Sequence, residues 1–270
     1  MSGKPAQSKS VAGSVAPSDD DRSVAARLFA IVDAFTTPSA VAALSLTAIA
    51  LRAGLPLSTT HRLVAEWVTW GGLTRQDDGR YALGMRLWEV GVQTPTAHNL
   101  RTIALPYLED LYEASHEHVH LAIRDGRDAL YVEKLSGHHA VRVISRVGGR
   151  LPLHSTGVGL VLLAYAPTDV ILDYLASDLQ RFLPQTVTDP ASLRRRLAAI
   201  RLEGLASMSE EMTIGSSSLA APIRDRTGQV VAAVSVVTGT GDRSSPHHEH
   251  AVRQAARGIS RAFGYRRASS

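Results

Sequence analysis

The stretch Ser45–Val64, SLTAIALRAGLPLSTTHRLV, limits what this chain can fold into more than any other. Ser45 is placed to cap a helix whose Leu46, Ile49, Ala50 and Ala53 share one face. Gly54 supplies the left-handed residue that stops it. Leu55-Pro56-Leu57 then makes a short turn, and Ser58 is expected to cap a second helix running to about Trp70, with Leu63, Val64, Trp67 and Val68 facing inward. Two short helices around such a turn form the helix-turn-helix pattern. Upstream, Val24, Leu28, Ile31, Val32 and Phe35 form an apolar helical stripe, capped by Asp21 or Ser23 and ended by Thr37-Pro38-Ser39. Downstream, Leu73-Thr74-Arg75 and Arg80-Tyr81-Ala82-Leu83 flank Gln76-Asp77-Asp78-Gly79, whose Asp-Gly pair favours a tight hairpin. Helix, helix, turn, helix and hairpin predict a winged helix-turn-helix over residues 21–84.

That motif points to double-stranded DNA. Ser58, Thr59, Thr60, His61 and Arg62 stand at the start of the second helix, where side chains reach base edges and free amides favour a phosphate. Arg75 and Arg80 on the wing, with Arg52, are further candidate contacts. Charge adds little, because six arginines face five acids within residues 21–84, two of those acids on the wing tip. A winged helix used for protein contacts is the alternative. The whole chain carries +4, which permits a polyanionic partner without requiring one.

With 270 residues the chain has room for a second, larger domain. It contains no cysteine, which excludes disulfide scaffolds, thiolate metal sites and cysteine nucleophiles and is compatible with the cytoplasm. No stretch approaches the roughly 20 apolar residues of a membrane span. Residues 1–20 are polar, without a secretory pattern, and are expected to be a disordered tail. A helix from Gly84 to about Val92 carries Met85, Leu87, Trp88 and Val90, followed by the breaker Thr94-Pro95-Thr96. Residues 85–98 are read as a linker helix that either pairs two DNA-reading heads or packs within its own chain. Asn99–Ala114 continues helically through Leu100, Ile103, Ala104, Leu108 and Leu111.

From His118 the period changes to two. Strands are expected over His118–Arg124, Leu130–Leu135, Val141–Ser145, Ser217–Ile223 and Val230–Val237, with turns at Asp125-Gly126 and Asp225–Gly228. Helices are expected over Gly157–Tyr165, Val170–Ala176, Ala191–Glu203 and Pro246–Phe263. The fold class is α+β, an antiparallel sheet with helices to one side, over residues 99–265, with 266–270 as a tail.

Here the chain resembles the IclR family of bacterial transcriptional regulators, over roughly residues 22–263. The resemblance rests on the helix-turn-helix; on RLPLHSTGVG at 150–159; on Glu210-Glu211 followed by Gly215; and on LAAPI at 219–223 with its hairpin. It implies a GAF-like effector domain for a small, often carboxylate-bearing metabolite, in dimers or tetramers on DNA. Carried over by motif, the pocket is lined by Leu151, Gly157, Val158, Met208, Ser218, Ser235 and Val237. Ser155-Thr156-Gly157 would present hydroxyls and free amides at a helix N-terminus, which suits an anion. Family members often carry Lys where Leu160 stands, and polar residues where Met208 and Val237 stand. The pocket is therefore expected to be more apolar than one for very small keto acids, and its ligand larger or partly aromatic.

The eleven histidines raise the question of a metal. His116, His118 and His120, the pair His138-His139, and His247, His248 and His250 form three groups, but none offers a convincing third ligand, and no metal or cofactor is expected. A hydrolase would need a nucleophile elbow or a metal-protease helix, and neither motif is present. Glu210 and Glu211 are expected to brace a loop rather than to do acid–base work. The remaining alternative is a metabolite sensor acting through protein contacts alone.

Overall fold

The computed structural model describes residues 22–36, 42–93, 95–137, 140–242 and 246–266. The tail at 1–20, Asp21 as a cap, the helix stop at Thr37–Ser39, Thr94, the pair His138-His139 and all but Arg266 of the C-terminal tail lie outside the described residues. The chain divides into two compact units between Gln93 and Thr94.

In the first unit, α1 (Val24–Asp33) is capped by Ser23, whose Oγ accepts from the Ala26 amide at 3.1 Å. α2 (Leu46–Ala53) is capped by Ser45 and closed by Gly54 at φ 63°. α3 (Leu57–Trp70) starts earlier than expected, and Ser58 does not cap it. Pro56, at φ −57° and ψ 146°, already turns the chain. Its carbonyl accepts from the Thr60 amide at 2.9 Å and from Thr60 Oγ1 at 3.0 Å. Ile31, Ile49 and Leu63 from the three helices and Leu73 from the strand that follows are buried in the core of this unit. Trp67 packs against it and donates from Nε1 to the Leu28 carbonyl at 3.0 Å, whereas Val68 faces solvent, not inward. The wing pairs β1 (Leu73–Arg75) with β2 (Tyr81–Leu83), Thr74 opposite Ala82. α4 (Met85–Gly91) follows and buries none of its residues.

The second unit opens with α5 (Pro95–Ser115) and holds one antiparallel sheet. Its strands are β3 (His118–Asp125), β4 (Asp128–Leu135), β5 (Arg150–Pro152), β6 (Ala206–Ser209), β7 (Ser216–Arg224) and β8 (Val230–Gly239), in the order β5-β4-β3-β8-β7-β6. Helices cover both faces, which corrects the one-sided expectation. Ala122, Tyr131, Ala220 and Ala233 face a cluster built on α6 (Gly157–Ala164), α7 (Thr168–Ala176) and α8 (Pro190–Glu203). Their neighbours Val119, Leu121, Leu219, Ala221, Val234 and Val236 face α5 and α9 (Pro246–Ala262). Two-sided burial explains why β7 and β8 read as nearly continuous apolar runs. Helix α6, GVGLVLLA, is buried at every residue, as expected of a helix apolar all round.

Residues 141–145 are not a strand. Their exposure does alternate, but no ladder partner lies alongside. Their carbonyls are taken by side chains instead: His118 Nε2 donates to Val141 at 2.7 Å and Lys134 Nζ to Ser145 at 2.8 Å. The strand beside β4 is β5, with Ala129 opposite Leu151.

Candidate functional site

The start of α3 presents Ser58, His61 and Arg62 to solvent, with Thr59 half-buried. Thr60 is a correction, because it is fully buried and its hydroxyl is spent on Pro56. Arg52 donates to the Ala34 carbonyl at 3.2 Å and so ties α2 to α1. On the wing, Arg75 is exposed, while Arg80 Nε lies 2.6 Å from Asp78 Oδ2. Hydrogen bonds from the Arg80 amide and guanidinium hold the Asp78 carboxyl below its ordinary value. Ser58, His61, Arg62 and Arg75 are thus open to a large partner, and Arg52 and Arg80 are exposed as well although each also bonds within the unit.

A cavity opens in the second unit between the sheet and the start of α6. The strand register fixes its floor. Ser235 lies between His120 and Ala220, and Val237 between His118 and Ser218; Met208 pairs with Ser218 on the far side. Thr156 caps α6, its Oγ1 accepting from the Gly159 amide at 3.2 Å. An added Cβ at Gly157 would lie 2.5 Å from Ser218 Oγ and 3.2 Å from Ser218 Cβ, so glycine lets the helix start sit close on β7. All nine sequence-predicted pocket residues, Leu151, Ser155, Thr156, Gly157, Val158, Met208, Ser218, Ser235 and Val237, line this one cavity. About 50 Å³ is open to the centres of water-sized molecules, within about 420 Å³ of empty space counted out to the mouth. That is room for a few waters or one compact ligand.

Sequence reasoning missed His120, Tyr131, Val143, Ile144, Ser145, Met212, Thr213 and Ser216, which share the wall. His120 Nε2 lies 2.8 Å from Ser145 Oγ, and its ring meets Tyr131 edge-on at 5.1 Å. Burial pushes His120 down to about 3, with Lys134 and His118 adding repulsion, so the ring is neutral near pH 7. Burial also raises the Tyr131 phenol, so it too stays uncharged. No lysine or arginine lies in the wall among the described residues. Its polar groups are hydroxyls, one neutral imidazole and the first amides of α6, and the rest is apolar. His118 and His120 stack at 6.3 Å, but among the described residues no group of three His, Asp or Glu side chains is placed to hold a metal. Glu210 and Glu211 brace the loop after β6: Glu210 Oε1 accepts from the Gly215 amide at 2.9 Å, and Glu211 pairs with Arg196.

Burial also lowers His118 and His154. In the unfolded chain such imidazoles take up protons near pH 6.5, while the folded chain resists doing so. Their contribution to stability is complete above about pH 6.5 and is lost as the pH falls towards the folded value, about 3 for His120. Urea midpoints should therefore drop between about pH 7.5 and about pH 5, and His120→Gln, which cannot titrate, should reduce that drop.

Residues 24–77 match the family model of the IclR helix-turn-helix domain, and residues 92–261 that of the bacterial transcriptional regulator IclR C-terminal domain. The glycerol operon regulatory protein of Streptomyces coelicolor is 36% identical over 229 residues, 82% of this chain and 89% of that protein. The HTH-type transcriptional regulator XynR of Escherichia coli is 34% identical over 228 residues, 82% of this chain and 90% of that protein. Among solved structures, an IclR homolog from Microbacterium hydrocarbonoxydans complexed with 4-hydroxybenzoate superposes with a TM-score of 0.84 at 38% identity, covering 89% of this chain and 99% of that one. Thermotoga maritima IclR gives a TM-score of 0.72 at 31% identity, covering 88% and 98%. Both units thus fall under one family's models, and relatives above 30% identity span most of their own length: the chain belongs to the IclR family, as a transcriptional regulator with a helix-turn-helix DNA-binding domain and an effector-binding C-terminal domain.

Proposed function

We propose that the cavity takes a compact carboxylate with an aromatic body, and that Ser58, His61 and Arg62 meet operator DNA in the major groove while Arg75 grips its backbone. The composition of the cavity wall carries the ligand reading. With no cation there, a carboxylate is met by the α6 amides and the neighbouring hydroxyls, which suits one negative charge. Leu151, Val158, Met208 and Val237 give the body of a ring an apolar surface. The relative complexed with 4-hydroxybenzoate supports the same class of ligand. Binding changes DNA affinity to the extent that the ligand favours one arrangement of the DNA-reading heads over another. A homodimer or homotetramer working in the cytoplasm on a roughly palindromic operator completes the reading. The exposed Met85, Trp88 and Val90 of α4 are surface that a partner copy would cover.

Calorimetry with 4-hydroxybenzoate and with pyruvate tests the ligand class. The aromatic acid should bind, Gly157→Val should abolish its binding, and pyruvate should bind weakly or not at all. Binding of pyruvate alone would refute the aromatic reading. For the DNA interface, Arg62→Ala should weaken binding to the protein's own upstream DNA by about 1–3 kcal/mol if the arginine meets a base. A folded variant with unchanged affinity would favour a winged helix that makes protein contacts.

A further inference from the structure

We propose that an arginine-lined groove at the C-terminal ends of α8 and α9 is a second ligand site, for a small molecule carrying two or more phosphate groups. The groove lies within the second unit, shares no residue with the effector cavity, and has about 720 Å³ open to water-sized centres, against about 50 Å³ in that cavity. Five arginines from three segments converge on it: Arg224 from β7; Arg253, Arg257 and Arg261 from α9; and Arg266 beyond the helix. Glu203 is the one acid in the wall among the described residues.

Part of this charge has local employment. Arg224 donates to the Gly228 carbonyl at 2.9 Å and lies over the Tyr165 ring. Arg253 pairs with Glu249 and donates to the Glu203 carbonyl at 2.8 Å. Arg261, in the last turn of α9, complements the helix dipole. Arg257 and Arg266 have no such role. Among the described residues, the side chains of Arg257, Arg261 and Arg266 make neither a hydrogen bond nor an ion pair. Arg253, Arg257 and Arg261 also follow one another at four-residue spacing, where like charges repel. Such repulsion is relieved when an anion binds among the three.

The chemistry selects phosphate. Guanidinium groups stay charged at any working pH, and their planar forks match phosphate oxygens two at a time. The wall carries five positive charges against one negative, more than a single carboxylate would use. Ala221, Pro222 and Ala256 supply an apolar side, and the Tyr265 ring lies against Gly228 at the rim, which suits a ring or sugar attached to the phosphates. A concave site of this size fits a nucleoside di- or triphosphate better than the broad surface of a duplex.

The test uses the full-length protein and calorimetric titration with adenosine triphosphate, inorganic tripolyphosphate and adenosine. Both phosphates should bind saturably, one per chain, and adenosine should not. Arg257→Gln, Arg261→Gln and Arg266→Gln together should weaken both phosphates by about tenfold or more. The variant's melting temperature should not fall, and its 4-hydroxybenzoate titration should not change. The proposal is overturned by no saturable binding of either phosphate at millimolar concentration, by adenosine binding as well as its triphosphate, or by a triple variant that binds like the parent. A variant that loses affinity only for duplex DNA, with neither small phosphate bound by the parent, would also overturn it and would assign the groove to the nucleic-acid backbone.

Discussion

Gly159→Ala is expected to destabilise the second unit by about 3 kcal/mol, read as a lower urea midpoint. The added Cβ would lie 2.5 Å from the Leu153 carbonyl oxygen and 2.6 Å from the Leu153 Cα, and would also overlap Thr156 Oγ1. Two of these neighbours are backbone and cannot rotate away. The third is the cap of α6, so relief at that point releases the Gly159 amide. Because the same helix start roofs the cavity, ligand binding should fall with stability. Gly91→Ala supplies the contrast: nothing lies within 4 Å of its added Cβ, so the change should be neutral or stabilising by up to about 1 kcal/mol.

Glu211→Ala should cost about 2–3 kcal/mol. The carboxylate side chain is 6% exposed and its partner Arg196 is 20% exposed, at 2.7 Å. Removing the acid leaves a largely buried guanidinium with only the Ser207 carbonyl, at 2.7 Å. Such uncompensated charges cost more than the intact pair contributes. Arg196→Met combined with Glu211→Met should accordingly recover most of the loss, and a double-mutant cycle in urea measures the coupling. Glu211 anchors the loop that brings Met212 and Thr213 to the cavity, and its carbonyl accepts from Thr186 Oγ1 at 2.7 Å. The single variant should therefore bind ligand more weakly than its stability loss alone would require.

What could be read from the sequence depended on whether one local rule decided the outcome. Ser45, Gly54 and the wing's Asp-Gly act through their nearest neighbours, and the helix-turn-helix followed from them. Seven of the nine cavity residues came from the family resemblance, and Ser155 and Thr156 from their place at a helix N-terminus; the glycines of the 150–159 stretch act locally, through close approach to β7 and to the turn before α6. The failures were non-local or positional. Helices on one side of the sheet would leave one face of β3 without a cover, and period two alone does not say that His118 and His120 are buried. With α6 over that face, both histidines are buried, and His120 belongs to the cavity wall. Its alternation with Val119 and Leu121 was visible; which of two apolar-bounded faces a neighbour covers was not. Residues 141–145 misled for a related reason. Their period of two is real, but whether a partner strand lies alongside is a property of the tertiary fold. Thr60 was misplaced because helix position, not residue type, decides whether a threonine near an N-terminus faces out or back onto the turn.

The two rims of the six-stranded sheet have a consequence for how copies of this chain behave at high concentration. One rim ends in β5, three residues long, and the other in β6, four residues long. Beyond β5, the open side of β4 is occupied by the returning chain: the Tyr131 amide donates to the Gly149 carbonyl at 3.0 Å, and the Gly148 amide to the Tyr131 carbonyl at 2.8 Å. Among the described residues neither border leaves a long row of free peptide groups for a foreign strand to zip onto, and short edges are one way folded β proteins avoid edge-to-edge aggregation. At the borders of this sheet, contacts between copies are thereby left to side chains, where sequence can set partner and geometry, rather than to backbone, which is common to every protein.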